Sequence, residues 1–119
     1  MATHLQTGLS GEMAALNYIQ NLNYRILETN WRYKHLEVDI IAMDGDTLVF
    51  IEVKTRRKSD HGMPFEAVSY HKQQKLDRAA NLYIAYKKYE GEIRFDIISI
   101  LLRGNNYQIE HIPDAFWPE

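Results

Sequence analysis

The sequence predicts an α/β domain, and three features of the chain support this prediction. Two segments place apolar residues at helical spacing, five others have the apolar pattern of β-strands, and their order is α-β-β-β-α-β-β. Each helix must cover a sheet to bury its apolar face, which favours a layered arrangement. With 119 residues, 45% of them apolar, we expect one domain over residues 1–119, with a core from about residue 8 to 116. Its centre is predicted to be a mixed five-stranded sheet flanked by helices.

The first third of the chain is predicted to contain a helix, a short strand and a loop. In residues 8–22 apolar side chains recur three and four positions apart, and Ser10 is a candidate N-cap, which indicates an amphipathic helix. Residues 24–29 have the composition of a strand, and residues 30–35 are predicted to form a loop.

A β-hairpin is the clearest local feature of the sequence. Two runs with alternating side chains, residues 37–43 and 47–55, flank Asp44 and Gly45. Asp-Gly between two such runs is typical of a two-residue hairpin turn. We therefore predict that Asp44 and Gly45 are the two central residues of the turn.

The second half of the chain is predicted to contain a loop over residues 57–65, a long helix over 66–89, and strands over 93–102 and 107–112. A turn at residues 104–106 separates the two strands. The apolar face of the helix consists of Leu76, Ala79, Ala80 and Tyr83.

In the predicted hairpin register, charged side chains gather at the end far from the turn. Glu37 faces Glu52 and Asp39 faces Phe50, so Asp39 and Glu52 are diagonal neighbours on one face, which also carries Lys54. The opposite face must be buried because it is apolar throughout; it consists of Val38, Ile40, Ala42, Val49, Ile51 and Val53.

Three carboxylates beside one ammonium are costly to place together without a compensating partner. A divalent cation is such a partner, since diagonal positions lie about 7–8 Å apart and Mg²⁺ takes one or two carboxylates plus waters and phosphate oxygens. The backbone carbonyl of Val53 could supply a further ligand. A cross-strand salt bridge of Lys54 with Glu37 or Asp39 is the competing interpretation. The Asp on the paired strand, brought to the same face by the turn, favours the site.

Asp39, followed by Glu52-Val53-Lys54 on the adjoining strand, resembles the core of the PD-(D/E)xK nucleases. From Gly8 to about Phe116, the chain resembles the YraN-like family of small bacterial endonucleases, which are related to Holliday junction resolvases. The matching motifs are Gly11-Glu12, Tyr24-Arg25-Ile26-Leu27, Asn30-Trp31-Arg32, Glu37-Val38-Asp39-Ile40-Ile41-Ala42, Val49-Phe50-Ile51-Glu52-Val53-Lys54-Thr55-Arg56, Glu66-Ala67-Val68, Lys72 and Arg94-Phe95-Asp96. Two positions depart from the family pattern: Leu36 and Asn23 stand where Gly is usual, and Asn tolerates the left-handed conformation that ends a helix.

The resemblance implies a restriction-endonuclease-like fold and a Mg²⁺-dependent endonuclease that acts on DNA, branched or structured DNA included, with Mn²⁺ able to replace Mg²⁺. On this hypothesis Asp39 and Glu52 hold the metal, and Lys54 positions a water and offsets charge on the phosphate. Glu12 would reach the metal directly or through water, or else stabilise the dipole of its helix. Glu37 could lie behind the metal ligands, bind a second metal, or be a surface carboxylate.

Six further residues are candidates for contact with nucleic-acid phosphates: Arg56, Arg57, Lys58, Lys72, Gln73 and Lys75. For the last three a solvated helix face is the alternative. Residues 54–88 contain nine basic and three acidic side chains and the remainder five and thirteen, so the formal net charge of −2 conceals a basic segment. Trp31 and Tyr33 could stack on unpaired bases or pack against the hairpin.

Composition limits the environment of the protein. There is no Cys, so disulfides, thiolate metal sites and a cysteine nucleophile are excluded. The longest apolar runs have four residues and the start of the chain has no secretory pattern, so we expect a cytoplasmic protein without membrane contact. A homodimer is expected by analogy with resolvases. The alternatives are a non-catalytic nucleic-acid-binding module on the same fold and a protein-interaction domain.

Overall fold

The computed structural model describes residues 3–4, 11–57 and 68–117. The elements found there are, in chain order, β1 (Thr3–His4), α1 (Gly11–Asn21), β2 (Arg25–Tyr33), β3 (Leu36–Asp44), β4 (Thr47–Arg57), α2 (Tyr70–Lys87), β5 (Glu92–Arg103) and β6 (Asn106–Ile112). The predicted α/β class, with two helices and five strands in the predicted order, is confirmed. Strand β1, with two residues, is an addition ahead of α1.

The described strands form one mixed sheet in the spatial order β1-β6-β5-β4-β3-β2. Neighbouring strands are antiparallel except β4 and β5, which are parallel. A parallel pair needs a crossover connection, and α2 lies between these two strands in the chain. Strand β4 is consequently central, with helices packed on both faces of the sheet around it.

The two helices cover opposite faces of the sheet. The four α2 residues predicted to share an apolar face are all buried. The core under α2 contains Leu36, Val38, Ile41, Leu48, Phe50, Val68, Leu76, Ala79, Ala80, Tyr83, Phe95 and Ile97. The core under α1 contains Ala14, Ala15, Ile19, Ile40, Ala42, Val49, Ile51, Ile98, Ile100 and Tyr107.

The turn between β3 and β4 consists of Gly45 and Asp46, so the predicted turn at Asp44 and Gly45 is wrong. Asp44 pairs with Thr47 in the ladder, two residues away from the predicted register. Gly45 has a φ of +60° and is the first central residue, as in a type II′ turn, whereas the predicted pair would need positive φ at both positions. Asp44 stays in the ladder, where its carboxylate pairs with Arg94 at 2.9 Å. A shift of two residues leaves the side chains of β4 on their predicted faces.

The alternation of side chains along β3 breaks at Asp39. Val38 packs in the core under α2, whereas Ile40 packs in the core under α1. The prediction that these two residues share a face is therefore wrong. At the break, the Asp39 Oδ2 accepts a hydrogen bond from the backbone N–H of Val53 at 2.8 Å. A side chain thus satisfies a backbone donor just beyond the ladder pair of Ile40 and Ile51.

Strand β2 continues to Tyr33, so the loop predicted over residues 30–35 is wrong. Trp31 and Tyr33 both pair with residues of β3, and a tight turn follows at Lys34, which has a φ of +56°. The basic residues between the aromatic ones suggest a loop, but β2 is an edge strand, where charged side chains are common.

The helix ends follow local capping chemistry. Asn23, after α1, has a φ of +67°, the left-handed conformation expected for it. Helix α2 begins at Tyr70 rather than at residue 66, because Ser69 caps it and accepts a hydrogen bond from the N–H of Lys72 at 3.1 Å. The predicted N-cap Ser10 lies outside the described residues. Neither helix of the described chain combines the length and the apolar character needed to cross a bilayer.

Candidate functional site

Glu52 is the buried carboxylate of the candidate site. It lies in the central strand β4, and only 4% of its surface is exposed. Burial above all, and then the hydrogen bond and negative charge of Asp39, raise the pKa of Glu52 to about 8, although the ammonium of Lys72 acts in the opposite direction. Without a further cation, this carboxyl therefore holds a proton most of the time at neutral pH.

Asp39 is held beside Glu52 by the backbone of β4. The hydrogen bond from the Val53 N–H fixes its carboxylate, which is also hydrogen-bonded and electrostatically coupled to Glu52. The two carboxylates that the sequence pattern assigns to one face therefore do meet. They meet at the break in β3, however, and not in the predicted register, because Phe50 faces Ile41 and not Asp39.

Lys72 lies against Glu52. Its Nζ is 3.4 Å from the Glu52 Oε2, and 39% of the Lys72 side chain is exposed against 5% of the Glu52 side chain. The sequence is compatible with phosphate contact and with a solvated helix face for Lys72. The structure shows a contact with the acidic group of the site, which neither interpretation includes.

Lys54 follows Glu52 by two positions on the same face of β4. It lies beside Ser99 of the parallel strand β5 and is half-buried. Within the described residues its ammonium forms neither an ion pair nor a hydrogen bond, so the competing salt bridge with Glu37 or Asp39 is not formed.

Glu12 approaches Asp39 from α1. Burial first, and then the charge of Asp39, raise the pKa of Glu12, while a hydrogen bond with Asn30 acts in the opposite direction. The Glu12 Oε1 is buried and has no hydrogen-bond partner in the part of the chain that the structure describes. Gly11 permits this approach, because a Cβ there would overlap the side chain of Thr55. The position of Glu12 in the first turn of α1 also fits an interaction with the helix dipole.

Glu37 is directed at Arg32 and not at Glu52. Arg32 and Glu37 are opposite each other in the ladder of β2 and β3, and their side chains form an ion pair. The prediction that Glu37 faces Glu52 is wrong, since the register differs and β3 breaks at Asp39. Because the Arg32 side chain is 69% exposed, this pair contributes about 0–1 kcal/mol to stability. Glu37 is a surface carboxylate here.

Arg56 and Arg57 continue β4 beyond Lys54. They are half-buried and exposed, respectively. Arg56 lines an open cavity of about 320 Å³. The other residues that line this cavity are Ser99, Leu101, Gln108, Ile109 and Glu110. The third predicted basic residue of this run, Lys58, lies outside the described residues.

The remaining predicted phosphate ligands lie on α2. Lys75 is half-buried on this helix. The Gln73 side-chain amide donates a hydrogen bond to the Val68 carbonyl at 3.2 Å, which secures the start of α2. Of the two, Lys75 has the charge that a phosphate would contact.

The two aromatic side chains of β2 differ in their surroundings. Trp31 packs edge-on against Tyr83 of α2, with ring centroids 5.5 Å apart. Tyr33 is 47% exposed, and the Lys34 Nζ lies 5.6 Å from its ring centroid. Trp31 therefore packs against the core under α2, which includes residues of the hairpin, and Tyr33 remains accessible for stacking.

A second cluster, which the sequence does not reveal as a unit, surrounds Asp96 of β5. This fully buried carboxylate accepts hydrogen bonds from the Arg94 Nε at 2.8 Å and from the Asp114 N–H at 3.0 Å, and its Oδ2 lies 2.8 Å from the His111 Nε2. Burial alone would raise the pKa of Asp96, but the hydrogen bonds of His111, Arg94 and Asp114 outweigh it and hold the pKa below its usual value. The signal in the sequence is two charged residues, two positions apart, in an apolar strand.

The donor set of the candidate site fits Mg²⁺. No three His, Asp or Glu side chains of the described residues are grouped so as to hold a metal ion by themselves. Asp39 and Glu52 supply two carboxylates, and Mg²⁺ takes this number when waters and phosphate oxygens complete its shell. The raised pKa of Glu52 shows that the surrounding protein does not stabilise its ionised form, which a bound divalent cation would stabilise, and the buried, unpartnered Oε1 of Glu12 lies on a side chain that senses the charge of Asp39.

The fold and the site define a class of protein: a small α/β domain whose central hairpin brings an Asp, a Glu and a Lys together at one end. The chain belongs to the uncharacterised protein family UPF0102, whose sequence profile matches residues 11–100. This confirms the YraN-like family indicated by the motifs.

Relatives from several bacteria carry the name UPF0102 protein. That of Chlorobium chlorochromatii is 43% identical over 96% of this chain and 93% of its own length. That of Flavobacterium johnsoniae is 44% identical over 98% of both chains. That of Geobacter metallireducens is 44% identical over 92% of this chain and 90% of its own.

Proposed function

We propose that this protein is a divalent-metal-dependent endonuclease that hydrolyses phosphodiester bonds in DNA, branched or structured DNA included. The observation that supports this most directly is the meeting of Asp39 and Glu52 beside two lysines, Lys54 and Lys72. Two buried or half-buried carboxylates next to partly exposed lysines suit a metal ion and a phosphate at the same place. A binding module has no need to bury a carboxylate whose cationic partner, among the described residues, is one partly exposed lysine.

Each residue has a distinct task in this proposal. Asp39, Glu52 and the backbone carbonyl of Val53 would hold Mg²⁺ or Mn²⁺, and Glu12 would contact it directly or through water. When bound, the metal supplies Lewis acidity toward the phosphodiester and the attacking water. Lys54 donates a hydrogen bond to that water or to the phosphate, where negative charge develops during in-line attack. The Val53 N–H keeps Asp39 in place throughout.

The DNA backbone follows the basic residues around the site. Arg56 and Arg57 extend from the same strand as Lys54, and Lys72, Gln73 and Lys75 lie in the first two turns of α2. Lys58, which lies outside the described residues, stays a predicted phosphate contact from the sequence alone. Phosphate contacts of this kind weaken steeply with salt. A cytoplasmic location, and a symmetric homodimer for cleavage of two strands at a junction, belong to the same proposal.

A cleavage assay tests the proposal. Purified protein is incubated with duplex, single-stranded and four-way-junction DNA, with Mg²⁺, with Mn²⁺ or with a chelator, beside the Glu52→Ala variant. We expect cleavage that requires the metal and disappears in the variant. Cleavage that survives the substitution would come from a contaminant and contradict the assignment. Salt-sensitive DNA binding without cleavage would instead favour the non-catalytic module.

Lys54→Ala is expected to reduce metal-dependent cleavage by about 10²-fold, the usual effect of removing one donor to the transition state. DNA binding should change much less, because other basic residues contact the backbone. Rates under single-turnover conditions measure the effect. The charge-matched control is Arg25→Ala, an exposed residue that pairs with Met43 near the hairpin turn. Equal losses in both variants would show a general charge effect and contradict the role of Lys54.

A further inference from the structure

The position of Lys72 is not explained by the stability of its helix. Lys72 is in the first turn of α2, where the helix dipole disfavours positive charge, and this turn contains no acidic residue. The Ser69 cap nevertheless fixes the helix start so that Lys72 points its ammonium at Glu52. The stabilising partner of this lysine is therefore in the site on β4 and not in its own helix.

The ion pair between Lys72 and Glu52 is long, and one of its two side chains can move away. The 3.4 Å between Lys72 Nζ and Glu52 Oε2 exceeds the roughly 2.7–2.9 Å of tight charge-assisted hydrogen bonds. Glu52 is buried in a strand and cannot move far, whereas the Lys72 side chain is 39% exposed on a flexible stem. If the contact opens, Lys72 is the partner that moves.

A divalent cation and the Lys72 ammonium compete for the same carboxylate. A cation held by Asp39 and Glu52 would place two further positive charges beside the Lys72 Nζ, and like charges at such short range repel strongly. On its release, the ammonium remains at the rim of the face that carries Lys54. In the proposed function, this rim is where the substrate phosphate lies.

We propose that Lys72 is a metal-responsive residue: it contacts Glu52 while no divalent cation is bound, and it moves to the substrate phosphate when one binds. This inference rests on the proposed function and adds a regulation of the same site. Lys54 differs from Lys72 in that it has no acidic partner among the described residues. Lys72 becomes available to phosphate only in the metal-loaded site, so metal binding and nucleic-acid binding strengthen each other.

The first test measures metal binding without nucleic acid. Mg²⁺ is titrated by calorimetry into the wild type, Lys72→Met and Glu52→Gln at about pH 9, above the Glu52 pKa of about 8, so that ionised Glu52 is available in the wild type and in Lys72→Met. Lys72→Met should bind Mg²⁺ about tenfold more tightly than the wild type, because the competing ammonium is gone. The control Arg78→Met, an exposed residue of α2, should leave the affinity unchanged.

The second test measures DNA binding by fluorescence anisotropy, with Ca²⁺ in place of Mg²⁺ to prevent cleavage. With Ca²⁺, Lys72→Met should bind DNA several-fold more weakly than the wild type. The slope of its log affinity against log salt concentration should be smaller by about the contribution of one phosphate contact. With a chelator, the two proteins should bind alike, because the wild-type Lys72 is then held by Glu52. Lys72→Gln, which keeps a donor but not the charge, should behave like Lys72→Met.

The outcomes separate this inference from the proposed function. If Lys72→Met binds Mg²⁺ no more tightly than the wild type, or loses DNA affinity equally with Ca²⁺ and with chelator, the metal-responsive role is overturned and the metal site still stands. If Glu52→Gln binds Mg²⁺ as well as the wild type does, the metal site is not at Glu52. In that case the proposed function fails, and the role of Lys72 fails with it.

Discussion

Asp96→Ala is expected to lower the free energy of unfolding by about 3–5 kcal/mol, the usual cost of removing one member of a buried ion pair. Asp96 has no exposed surface and is bonded to Arg94, His111 and the Asp114 N–H. Its removal leaves the Arg94 guanidinium with Asp44 alone as an acidic partner. The cluster joins the hairpin turn, β5, β6 and the segment after β6. We therefore expect the substitution to destabilise the whole domain and not one element alone.

Urea unfolding followed by circular dichroism measures this effect, and Asp44→Ala is the control. Asp44 pairs with the same guanidinium but its side chain is 40% exposed, so its removal should cost only about 0–1 kcal/mol. The pKa of Asp96 is lowered in the folded protein, so its contribution is complete above the unfolded pKa of about 4 and is lost as the pH falls from there through the folded pKa. Equal losses for the two variants would contradict the assignment.

The order of elements can be predicted because it depends on local patterns. Leu76, Ala79, Ala80 and Tyr83 recur at helical spacing, and all four are buried under one face of the sheet. The helix face is a consequence of side-chain periodicity, which the sequence contains directly. Alternation in the hairpin also predicts that Asp39 and Glu52 lie near each other, but the two carboxylates meet at the break in β3, where that alternation fails.

The register of the hairpin could not be predicted, because Gly45 is compatible with two turns. As the second central residue it suits a type I′ turn, and as the first it suits type II′. The ion pair between Asp44 and Arg94, which joins residues 50 positions apart, is formed when Asp44 stays in the ladder. No local pattern contains that contact. The break at Asp39 is hidden for the same reason, since it depends on the backbone of a neighbouring strand.

The contact of Lys72 with Glu52 is the part of the candidate site that could not be predicted from the sequence. A lysine in the first turn of a helix usually lies on a solvated face, which is why the sequence favours that interpretation. The structure differs because the crossover from β4 through α2 to β5 returns the start of the helix to the strand it left. The two residues are 20 positions apart in the sequence, and the topology of the fold brings them together. Neither composition nor spacing indicates such a contact.

Glu52→Gln is expected to raise the stability of the protein at alkaline pH and to abolish its cleavage of DNA. The pKa of Glu52 is raised from 4.5 to about 8 in the folded state, chiefly by burial and then by Asp39. The folded protein therefore binds this proton more tightly than the unfolded chain does. The stability from protonated Glu52 is complete below pH 4.5 and is lost as the pH rises to about 8. Gln resembles the protonated form and cannot ionise.

The free energy of unfolding is measured in chelator at about pH 4 and about pH 9 for the wild type and the variant. The two proteins should be similar at the lower pH, and the variant more stable by about 3–5 kcal/mol at the higher one. The control Glu92→Gln replaces an exposed carboxyl at the start of β5 and should show no such pH-dependent gain. A gain of equal size at both pH values would indicate better packing and refute the electrostatic explanation.

Added Mg²⁺ tests whether the Glu52 carboxylate has a functional role, because only a metal ligand should respond to it with a change in the free energy of unfolding. The wild type at about pH 9 should be stabilised by about 2.7 kcal/mol at a concentration one hundred times the dissociation constant, and Glu52→Gln should not respond. Cleavage by the variant should fall by at least about 10²–10³-fold. Asp96 and Glu52 are both buried in the same sheet, yet their removal is expected to change stability in opposite directions. Asp96 is paired with Arg94 and His111 within the fold, whereas Glu52 contacts one partly exposed lysine, and in the proposed function a divalent cation supplies the further positive charge.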